Sequence, residues 1–507
     1  MAASDTTAMT SPDDGPALAH TLQRRHLSMI AIAGVIGAGL FVGSGAAIQQ
    51  AGPGVLVSYA ACGLLVILVM RMLGEMAAAT PETGSFSAYA ERAIGPWAGF
   101  SIGWLYWWFW VVVLGVEATA GAVIMHRWVP GVPQWAWALL LMAALTGTNL
   151  VSVRNYGEFE FWFASVKVVA ISLFLLLGLA AILGLVPGFD SPGAGNLAGH
   201  GGFFPNGGSP IFAAMLVVVF SFFGAEIATI AAGESQDPEH AVRAAVNSVV
   251  WRILVFYLGS IAVVVTLLPW NDATIATSPY VAVLDRIGLP AAGNVMDVIV
   301  LTSVLSCLNS GLYTASRMAF SLSRRGEAPR SWRRLSGQGV PRVAVLVSTV
   351  VGFVTVIFNY VSPDRVFLFL VNSSGAVAVF VWITIAVSQL RLRRSLDAAD
   401  PERSTLRMWG HPWLTVVAVV AMVGLLVGMA VDDASRSQLL LSLLVGAVVV
   451  AASRVVRRGE RADGGPGAGH GRRRRRPEPD VVDLRHDRVQ ELHRHLDELG
   501  EPRNPIR

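Results

Sequence analysis

The sequence predicts an all-α integral membrane protein, and three observations support this fold class. Only 14% of the 507 residues are charged, whereas an ordinary soluble domain has about 25%. Twelve apolar runs are each close to the length of a membrane-spanning helix, which is about 20 residues. The first and the sixth of these runs contain glycines at mid-span, where a continuous helix disfavours them. We therefore expect twelve transmembrane helices, two of which are broken.

The twelve apolar runs are numbered as spans 1 to 12 in chain order. They cover residues 27–50, 55–77, 97–125, 133–152, 158–186, 210–233, 245–268, 294–320, 342–361, 365–390, 411–431 and 437–455. An even number of spans places both chain termini on the same side of the membrane. The loops on that side hold most of the arginines, including a cluster at positions 324, 325, 330, 333, 334 and 342. By the positive-inside rule, both termini are predicted to be cytoplasmic.

The charge and the cysteine content argue against several classes of function. The formal net charge is +4 and follows the loop arginines, so it is a signal of topology and indicates no nucleic-acid partner. Cys62 and Cys307 both lie inside apolar runs and offer neither a disulfide framework nor a cysteine metal site. The spans contain no histidine-rich or HExxH-type motif. A membrane-embedded enzyme, a bound metal and any other cofactor are therefore not expected.

Span 1 contains the stretch AGVIGAGLFVGSG at residues 33–45, with glycines at positions 34, 37, 39, 43 and 45. Each glycine inside a helix costs about 1 kcal/mol relative to alanine. One interpretation is close packing against a neighbouring helix, which the spacing of Gly39 and Gly43 supports. The other is an interruption, which exposes backbone groups that must line a cavity. We favour the interruption because span 6 contains a second segment of this kind.

Span 6 combines a glycine and a carboxylate at mid-span, in the sequence FSFFGAE from Phe220 to Glu226. Two broken helices, in spans 1 and 6, are typical of transporters built as an inverted repeat of five plus five helices. The half-helix after the first break would begin near Gly39, and its N–H groups suit a carboxylate. The carbonyls freed near Val35, Phe220 and Phe223 would face an ammonium group. Together they predict a site for a zwitterion.

This repeat defines the expected domain organisation, in which residues 27–455 form one twelve-helix transporter domain. In the C-terminal tail, an arginine run from Arg472 to Arg476 precedes apolar residues at helical spacing, which predict a short amphipathic helix. The predicted parts in chain order are a cytoplasmic tail at 1–26, a first repeat at 27–186, a second repeat at 210–390, spans 11 and 12 at 411–455, and an arginine-rich cytoplasmic tail at 456–507.

Three ionisable residues are predicted at membrane depth, namely Glu117 in span 3, Lys167 in span 5 and Glu226 in span 6. Such residues are costly in a bilayer and usually have a function; the alternative is a brace between helices or, for Lys167, a side chain that extends to the interface. Lys167 is the only lysine among 38 basic residues. A buried lysine can release its proton, whereas arginine cannot. Lys167 is therefore predicted to be a proton switch, with both acids assisting in proton coupling.

Several long motifs resemble the amino acid permeases of the amino acid–polyamine–organocation superfamily, and most closely the bacterial 4-aminobutyrate (GABA) permeases. The resemblance covers roughly residues 20–455, whereas the tail after 455 has no counterpart in it. The motifs that carry it are RHLSMIAIAGVIGAGLFVGSG, GEMAAATPETGSFSAYA, GWLYWWFW, NYGEFEFWFASVKVVAI, FSFFGAEIATIAAGES, NSVVWRILVFYLGSIAVV, SCLNSGLYTASRMAFSLSRRGEAP and AVSQLRLR.

The resemblance implies a leucine-transporter-like fold and proton-coupled uptake of an amino acid, GABA or a related small zwitterion, across the cell membrane. It places Lys167 where sodium sits in sodium-coupled relatives and makes Phe220 an aromatic gate. Proline, aromatic or basic amino acids as substrates, an exchanger, and a channel or receptor of the same fold remain alternatives. The implied substrate-binding residues, including the glycines of both breaks, are Val35, Gly37, Ala38, Gly39, Phe220, Phe223 and Gly224.

Overall fold

The computed structural model describes residues 36–80, 85–151, 153–227, 229, 238–276, 278–337, 339–399 and 406–463. All regular secondary structure in these ranges is helical, so the predicted all-α class is confirmed. The amphipathic helix predicted in the C-terminal tail lies outside the described residues. The α-helices are Ser44–Ala51, Val55–Ala79, Ser85–Ala93, Pro96–Trp128, Gln134–Val151, Val153–Ile182, Gly195–Ala198, Ser209–Phe222, Pro238–Trp251, Ser260–Leu267, Pro279–Arg286, Pro290–Arg324, Arg342–Val361, Pro363–Ala399, Trp413–Val431 and Asp433–Asp463.

Shorter helical segments of other types connect or extend these helices. Two of them are π-helical, Gly39–Gly43 in span 1 and Arg252–Gly259 in span 7. Three are 3₁₀ turns, at Gly52–Gly54, Ala273–Ala276 and Arg330–Arg333. The chain divides into two compact units, Met1–Ser453 and Arg454–Arg507, and all residues discussed below belong to the first unit.

The predicted count of twelve spans is not confirmed. Within the described residues, nine helical stretches are long and apolar enough to cross a membrane. Spans 1 and 2 fall in one continuous stretch, Gly39–Ala79, and span 4, at Gln134–Val151, is not among the nine. Span 6 is the 14-residue helix Ser209–Phe222. A helix that stops at mid-membrane has too few residues to cross the bilayer alone, because crossing requires about 20 residues.

Span 3, the helix Pro96–Trp128, is the central helix of the first unit. In its most apolar window 83% of the residues are buried inside the protein, compared with 17% in span 12. The helix packs against spans 4, 8, 9 and 10. A helix that is apolar on all sides is typically buried on all sides, and span 3 has this composition over most of its length. Its central position brings side chains from several of its faces into contact with other spans.

A buried carboxylate near the end of span 2 connects this helix to span 10 and to the segment before span 11. Glu75 is buried and forms an ion pair with Arg393 of span 10. It also accepts hydrogen bonds from the Gln389 amide at 2.9 Å and from the backbone N–H of Met408 at 3.0 Å. A buried charge is tolerated when it is paired and hydrogen-bonded in this way.

Arg393→Ala should destabilise the protein, because it leaves the Glu75 carboxylate buried without its cation. Removing one partner of a buried ion pair typically costs about 3–5 kcal/mol, so the melting temperature of the purified protein should fall by several degrees. Arg394→Ala is the matched control, since Arg394 is exposed in the same helix. Equal melting temperatures for the two variants would contradict a stabilising role for the pair.

Candidate functional site

The described part of span 1 starts with Ile36 and Gly37, which are not helical, and a helix begins immediately afterwards with the π-helical turn Gly39–Gly43. The amides of Leu40 and Phe41 both donate to the Gly37 carbonyl, at 3.3 Å each. The amides before them belong to the first turn of a helix, whose N–H groups have no partner within the helix. The predicted start of a half-helix near Gly39 is therefore confirmed. Val35, whose carbonyl was assigned to the site, lies outside the described residues.

A carboxylate of the protein itself occupies the start of this half-helix. The backbone N–H of Ala38 donates to both carboxylate oxygens of Glu117, at 3.2 and 3.1 Å. Glu117 lies in span 3 and is 2% exposed, so the contact joins the central helix to the break in span 1. An anion at this point fits the positive end of the helix dipole. The anion expected from the sequence was the carboxylate of a substrate, and the structure places Glu117 there.

The glycines of span 1 serve both of the functions that the sequence left open. At Gly37, in the interruption, a Cβ atom would lie 2.7 Å from Cys307 Cβ and 2.7 Å from Glu117 Oε1. At Gly39, a Cβ atom would lie 2.8 Å from the Cα atom of Ser221 in span 6. The first glycine therefore leaves room for Glu117 at the break, and the second allows spans 1 and 6 to pack backbone to backbone.

The predicted break in span 6 is confirmed. The helix Ser209–Phe222 ends where Phe223 adopts an extended conformation, with φ −66° and ψ 142°. Gly224 follows with φ +103°, a conformation that residues with a side chain rarely adopt. The backbone N–H of Gly224 donates to both carboxylate oxygens of Glu226, at 3.1 and 3.0 Å. Each break thus has a backbone N–H bound by a buried carboxylate, Glu117 in one case and Glu226 in the other.

The backbone carbonyls of Phe220 and Phe223, which were predicted to face an ammonium group, lie in different backbone environments. In this structure the Phe220 carbonyl accepts a hydrogen bond from the Phe223 amide, at 3.3 Å, so it still takes part in the end of its helix. The Phe223 carbonyl lies one residue into the turn. Both side chains are buried, and both line the cavity described next.

A narrow cavity lies between the breaks and span 3. Its aromatic wall is well packed, since the ring centroids of Phe109 and Phe223 are 4.0 Å apart and those of Phe109 and Phe220 are 6.3 Å apart. The lining residues are Gly39, Phe109, Trp110, Val113, Glu117, Phe220, Ser221, Phe223 and Cys307.

Lys167 lies beside this cavity, and its side chain is completely buried. Full burial does not fit an amine that extends to the membrane interface. The charged and polar groups that act on it electrostatically are Glu160 in its own span, Cys307 in span 8 and Glu117 in span 3. Of the two acids that were predicted to assist in proton coupling, Glu117 therefore lies in the electrostatic surroundings of Lys167. Glu226, the other acid, lies in the second break and interacts with Arg252 of span 7 instead.

Sequence reasoning missed several residues of this site. Trp110, Val113 and Glu117 follow one another at spacings of three and four, which places them on one face of span 3. This spacing could have identified the first two as cavity residues, but the aromatic run around them was also consistent with packing or lipid contact. Cys307 gave no comparable signal, whereas the seven-residue spacing of Glu160 and Lys167 in span 5 places both on one helix face and could have identified Glu160.

Comparisons with known proteins agree with this geometry. A family model described as amino acid permease matches residues 26–456. The chain belongs to the amino acid permease family. Its members are transporters, and this member is accordingly a multi-pass membrane protein with an amino acid as substrate. Among the described residues, no group of three or more histidine, cysteine, aspartate or glutamate side chains could hold a metal ion.

Individual permeases are similar to this chain over most of its length. The gamma-aminobutyric acid permease of Bacillus subtilis (strain 168) is 55% identical over 86% of this chain and 93% of its own. The gamma-aminobutyric acid permease of Escherichia coli (strain K12) is 53% identical over 83% and 90%. An aromatic amino acid transport protein of Corynebacterium glutamicum is 46% identical over 82% and 90%. Family membership is therefore supported by several relatives with different named substrates.

A solved transporter shares the fold of this permease. The crystal structure of a manganese transporter mutant from Eremococcus coleocola superposes with a TM-score of 0.53, covering 85% of this chain and 92% of that chain. The two sequences are only 15% identical, so the likeness concerns the fold alone. It supports the predicted transporter fold.

Gly39→Val should abolish transport by this permease, because any side chain at this position collides with the backbone of span 6 at Ser221. The two broken helices would be forced apart, and the cavity between them would lose its shape. We expect uptake by reconstituted protein to fall at least about tenfold, which corresponds to 1.4 kcal/mol. Gly424→Val in span 11 is the matched control, since a Cβ atom there meets nothing within 4 Å. Normal uptake by a folded Gly39→Val variant would refute the close approach.

Proposed function

We propose that this permease is a proton-coupled secondary transporter that imports GABA, or a related small zwitterion, across the cytoplasmic membrane. The observation that carries the proposal is the hydrogen bond from the Ala38 amide to the Glu117 carboxylate at the wall of the cavity. It joins a helix N-terminus suited to a substrate carboxylate to an acid that can carry a proton. The two relatives named as GABA permeases support this choice of substrate.

The substrate would lie between the two breaks. Its carboxylate would accept hydrogen bonds from the amides of Ala38 and Gly39, at the positive end of the half-helix. Its ammonium group would face the carbonyls of Val35, Phe220 and Phe223, and the ring of Phe220 would act as a gate. Gly37 and Gly224 contribute by giving the chain the room and the conformation that the breaks require.

This arrangement gives a physical reason for proton coupling. Glu117 already accepts a hydrogen bond from the Ala38 amide, which is the donor that we assign to the substrate carboxylate. Two ionised carboxylates at one amide would repel strongly, whereas a protonated acid removes that repulsion. Binding of the substrate carboxylate would therefore be favoured by a proton on Glu117. In this way, substrate and proton would occupy the site together.

Lys167 would then connect the proton to the movement of the helices. In the outward-open state the amine would be hydrated and protonated, and it would hold span 5 to backbone oxygens of span 1. Facing the cytoplasm it would lose its proton, release that contact and let span 1 move with its substrate.

The expected orientation has both termini in the cytoplasm, the side with most loop arginines. The transporter domain at 27–455 would divide into repeats at 27–186 and 210–390.

A second candidate is a permease for another amino acid, or an exchanger of the same fold. The observation that favours it is the aromatic wall formed by Phe109, Trp110, Phe220 and Phe223, together with the relative named as an aromatic amino acid transport protein. The test is uptake by purified protein in liposomes, with an acidic exterior and labelled GABA, proline, lysine or phenylalanine. Accumulation of GABA against its gradient supports the first candidate. Equal rates with and without the proton gradient would refute proton coupling.

Lys167→Ala should end proton-driven accumulation while leaving substrate binding and exchange measurable. Lys167→Arg should fail as well, because arginine keeps its proton throughout the physiological range. Both variants are tested in liposomes, with accumulation measured under an imposed pH gradient and exchange measured without one. An arginine variant that still concentrates substrate with a normal pH dependence would exclude Lys167 as a switch.

Glu226→Gln should impair net transport more than substrate binding. The amide keeps the size of the side chain, but it replaces a carboxylate that accepts two contacts from the Gly224 amide. We expect binding to change less than about threefold, which is under 1 kcal/mol, whereas accumulation should fall further. Binding is measured by ligand-dependent thermal stabilisation and transport by labelled uptake between about pH 5 and 8. If neither changes across that range, Glu226 is only a structural brace.

A further inference from the structure

Glu160, on the same helix as Lys167, is a buried acid to which the proposed transport route assigns no role. Its side chain is completely buried inside the protein. One carboxylate oxygen accepts a hydrogen bond from the Ser306 hydroxyl of span 8, at 2.8 Å. The other oxygen, Oε2, has no hydrogen-bond partner among the described atoms. A buried carboxylate with an unused oxygen requires a nearby cation or proton to be stable.

The helix itself places a cation on the same face as this carboxylate, two turns or about 10 Å further along the axis. Glu160 and Lys167 are seven residues apart in span 5, so two turns bring them to the same face. Glu160 and Glu117 are both electrostatic neighbours of Lys167. Ser306 directly precedes Cys307, which interacts with Glu117. Span 8 therefore lies against both acids, with Lys167 acting electrostatically on each.

The number of charges in this cluster suggests a division of roles. Two carboxylates, Glu117 and Glu160, act on one amine, so Lys167 can neutralise only one of them at a time. If Lys167 paired with Glu117, it would compete with the Ala38 amide for that carboxylate. A pair of Lys167 and Glu160 leaves Glu117 available to the break in span 1, where the structure finds it.

We propose that Glu160 is a positioning residue for transport: its carboxylate, fixed to span 8 by Ser306, is the counter-ion that holds the protonated Lys167 and leaves Glu117 free to serve the substrate site. This inference rests on the proposed proton-coupled function. It adds Glu160 to the residues involved in proton coupling, although Glu160 does not line the substrate cavity. Its role is exerted through Lys167.

Other titratable groups around this pair must be considered in any test by pH. Span 3 contributes Glu117 and span 8 contributes Cys307, both of which act on Lys167. Span 7 packs against span 5 with the segment that contains Arg252 and Tyr257. Tyr257 interacts electrostatically with Arg252, Cys307 and Glu117. Because none of these groups changes in a Glu160 variant, an altered pH profile would report the loss of the Glu160 charge.

The first test is Glu160→Gln in liposomes, with Glu160→Asp as the variant that keeps the charge and Glu91→Gln as the control outside the cluster. Without its counter-ion, Lys167 needs a higher proton concentration to become protonated. We expect proton-driven accumulation to fall at least about tenfold at neutral pH and its pH optimum to move by about one unit towards acid. Glu160→Asp should restore part of the accumulation. Glu160→Gln with wild-type accumulation and an unchanged pH optimum overturns the inference.

The second test is a double-mutant cycle on melting temperature in detergent, which does not require transport. Glu160→Gln should lower the melting temperature, since it removes the carboxylate that we assign as counter-ion to the buried ammonium of Lys167. The same substitution in a Lys167→Ala background should have a much smaller effect, because the cation is absent. Equal losses in both backgrounds would mean that Glu160 braces spans 5 and 8 independently of Lys167. If Glu160→Gln cannot be purified, Ser306→Ala serves as the milder member of the cycle.

Failure of this inference is distinguishable from failure of the proposed function. Wild-type protein that does not accumulate substrate under a proton gradient contradicts the function itself. Wild-type protein that accumulates substrate, together with a Glu160→Gln variant that does so equally, contradicts only the role of Glu160.

Discussion

The arrangement of this site depends on one hydrogen bond, from the backbone N–H of Ala38 to the carboxylate of Glu117. A helix that starts inside a membrane protein has amide groups without helical partners, and water is scarce at that depth. An unpaired amide there would be costly. Glu117 supplies the partner from the most buried of the nine long apolar stretches in the described residues, and in turn its own charge is stabilised by the helix dipole. The break and the buried acid therefore stabilise each other.

Such a contact is possible only if the surrounding chain comes very close. Gly37 leaves the space that the Glu117 carboxylate and Cys307 occupy, and Gly39 lets span 1 lie against the backbone of Ser221. A glycine is also required in span 6, where Gly224 adopts a positive φ and its amide thereby donates to Glu226. In both spans the glycines define where the helix stops and how near the neighbouring helix can approach.

Span 3 explains why the aromatic wall, the acid and the amine occur together. Its length and its apolar composition on all sides place it at the centre of the first unit. From there it presents Phe109 and Trp110 to the cavity and Glu117 to the break. Spans 5 and 8 complete the polar side of the site with Lys167, Glu160 and Cys307. The broken span 1 is thus bound to the continuous span 3 through the hydrogen bond between Ala38 and Glu117.

The sequence alone determined the helical class, the positions of both breaks and the three ionisable residues at membrane depth, because glycine content, hydropathy and charge are local properties of the chain. Tertiary structure decided that Glu117 binds Ala38, that Phe109 and Trp110 line the cavity, and that Glu160 accepts a hydrogen bond from Ser306 of span 8. Within the described residues it also gave fewer clear spans than twelve, since spans 1 and 2 form one stretch, span 4 is not among the nine, and the broken span 6 is too short to be recognised by length. In a helix that is apolar on every side, periodicity carries no information about rotation. Which side chains meet therefore follows only from packing.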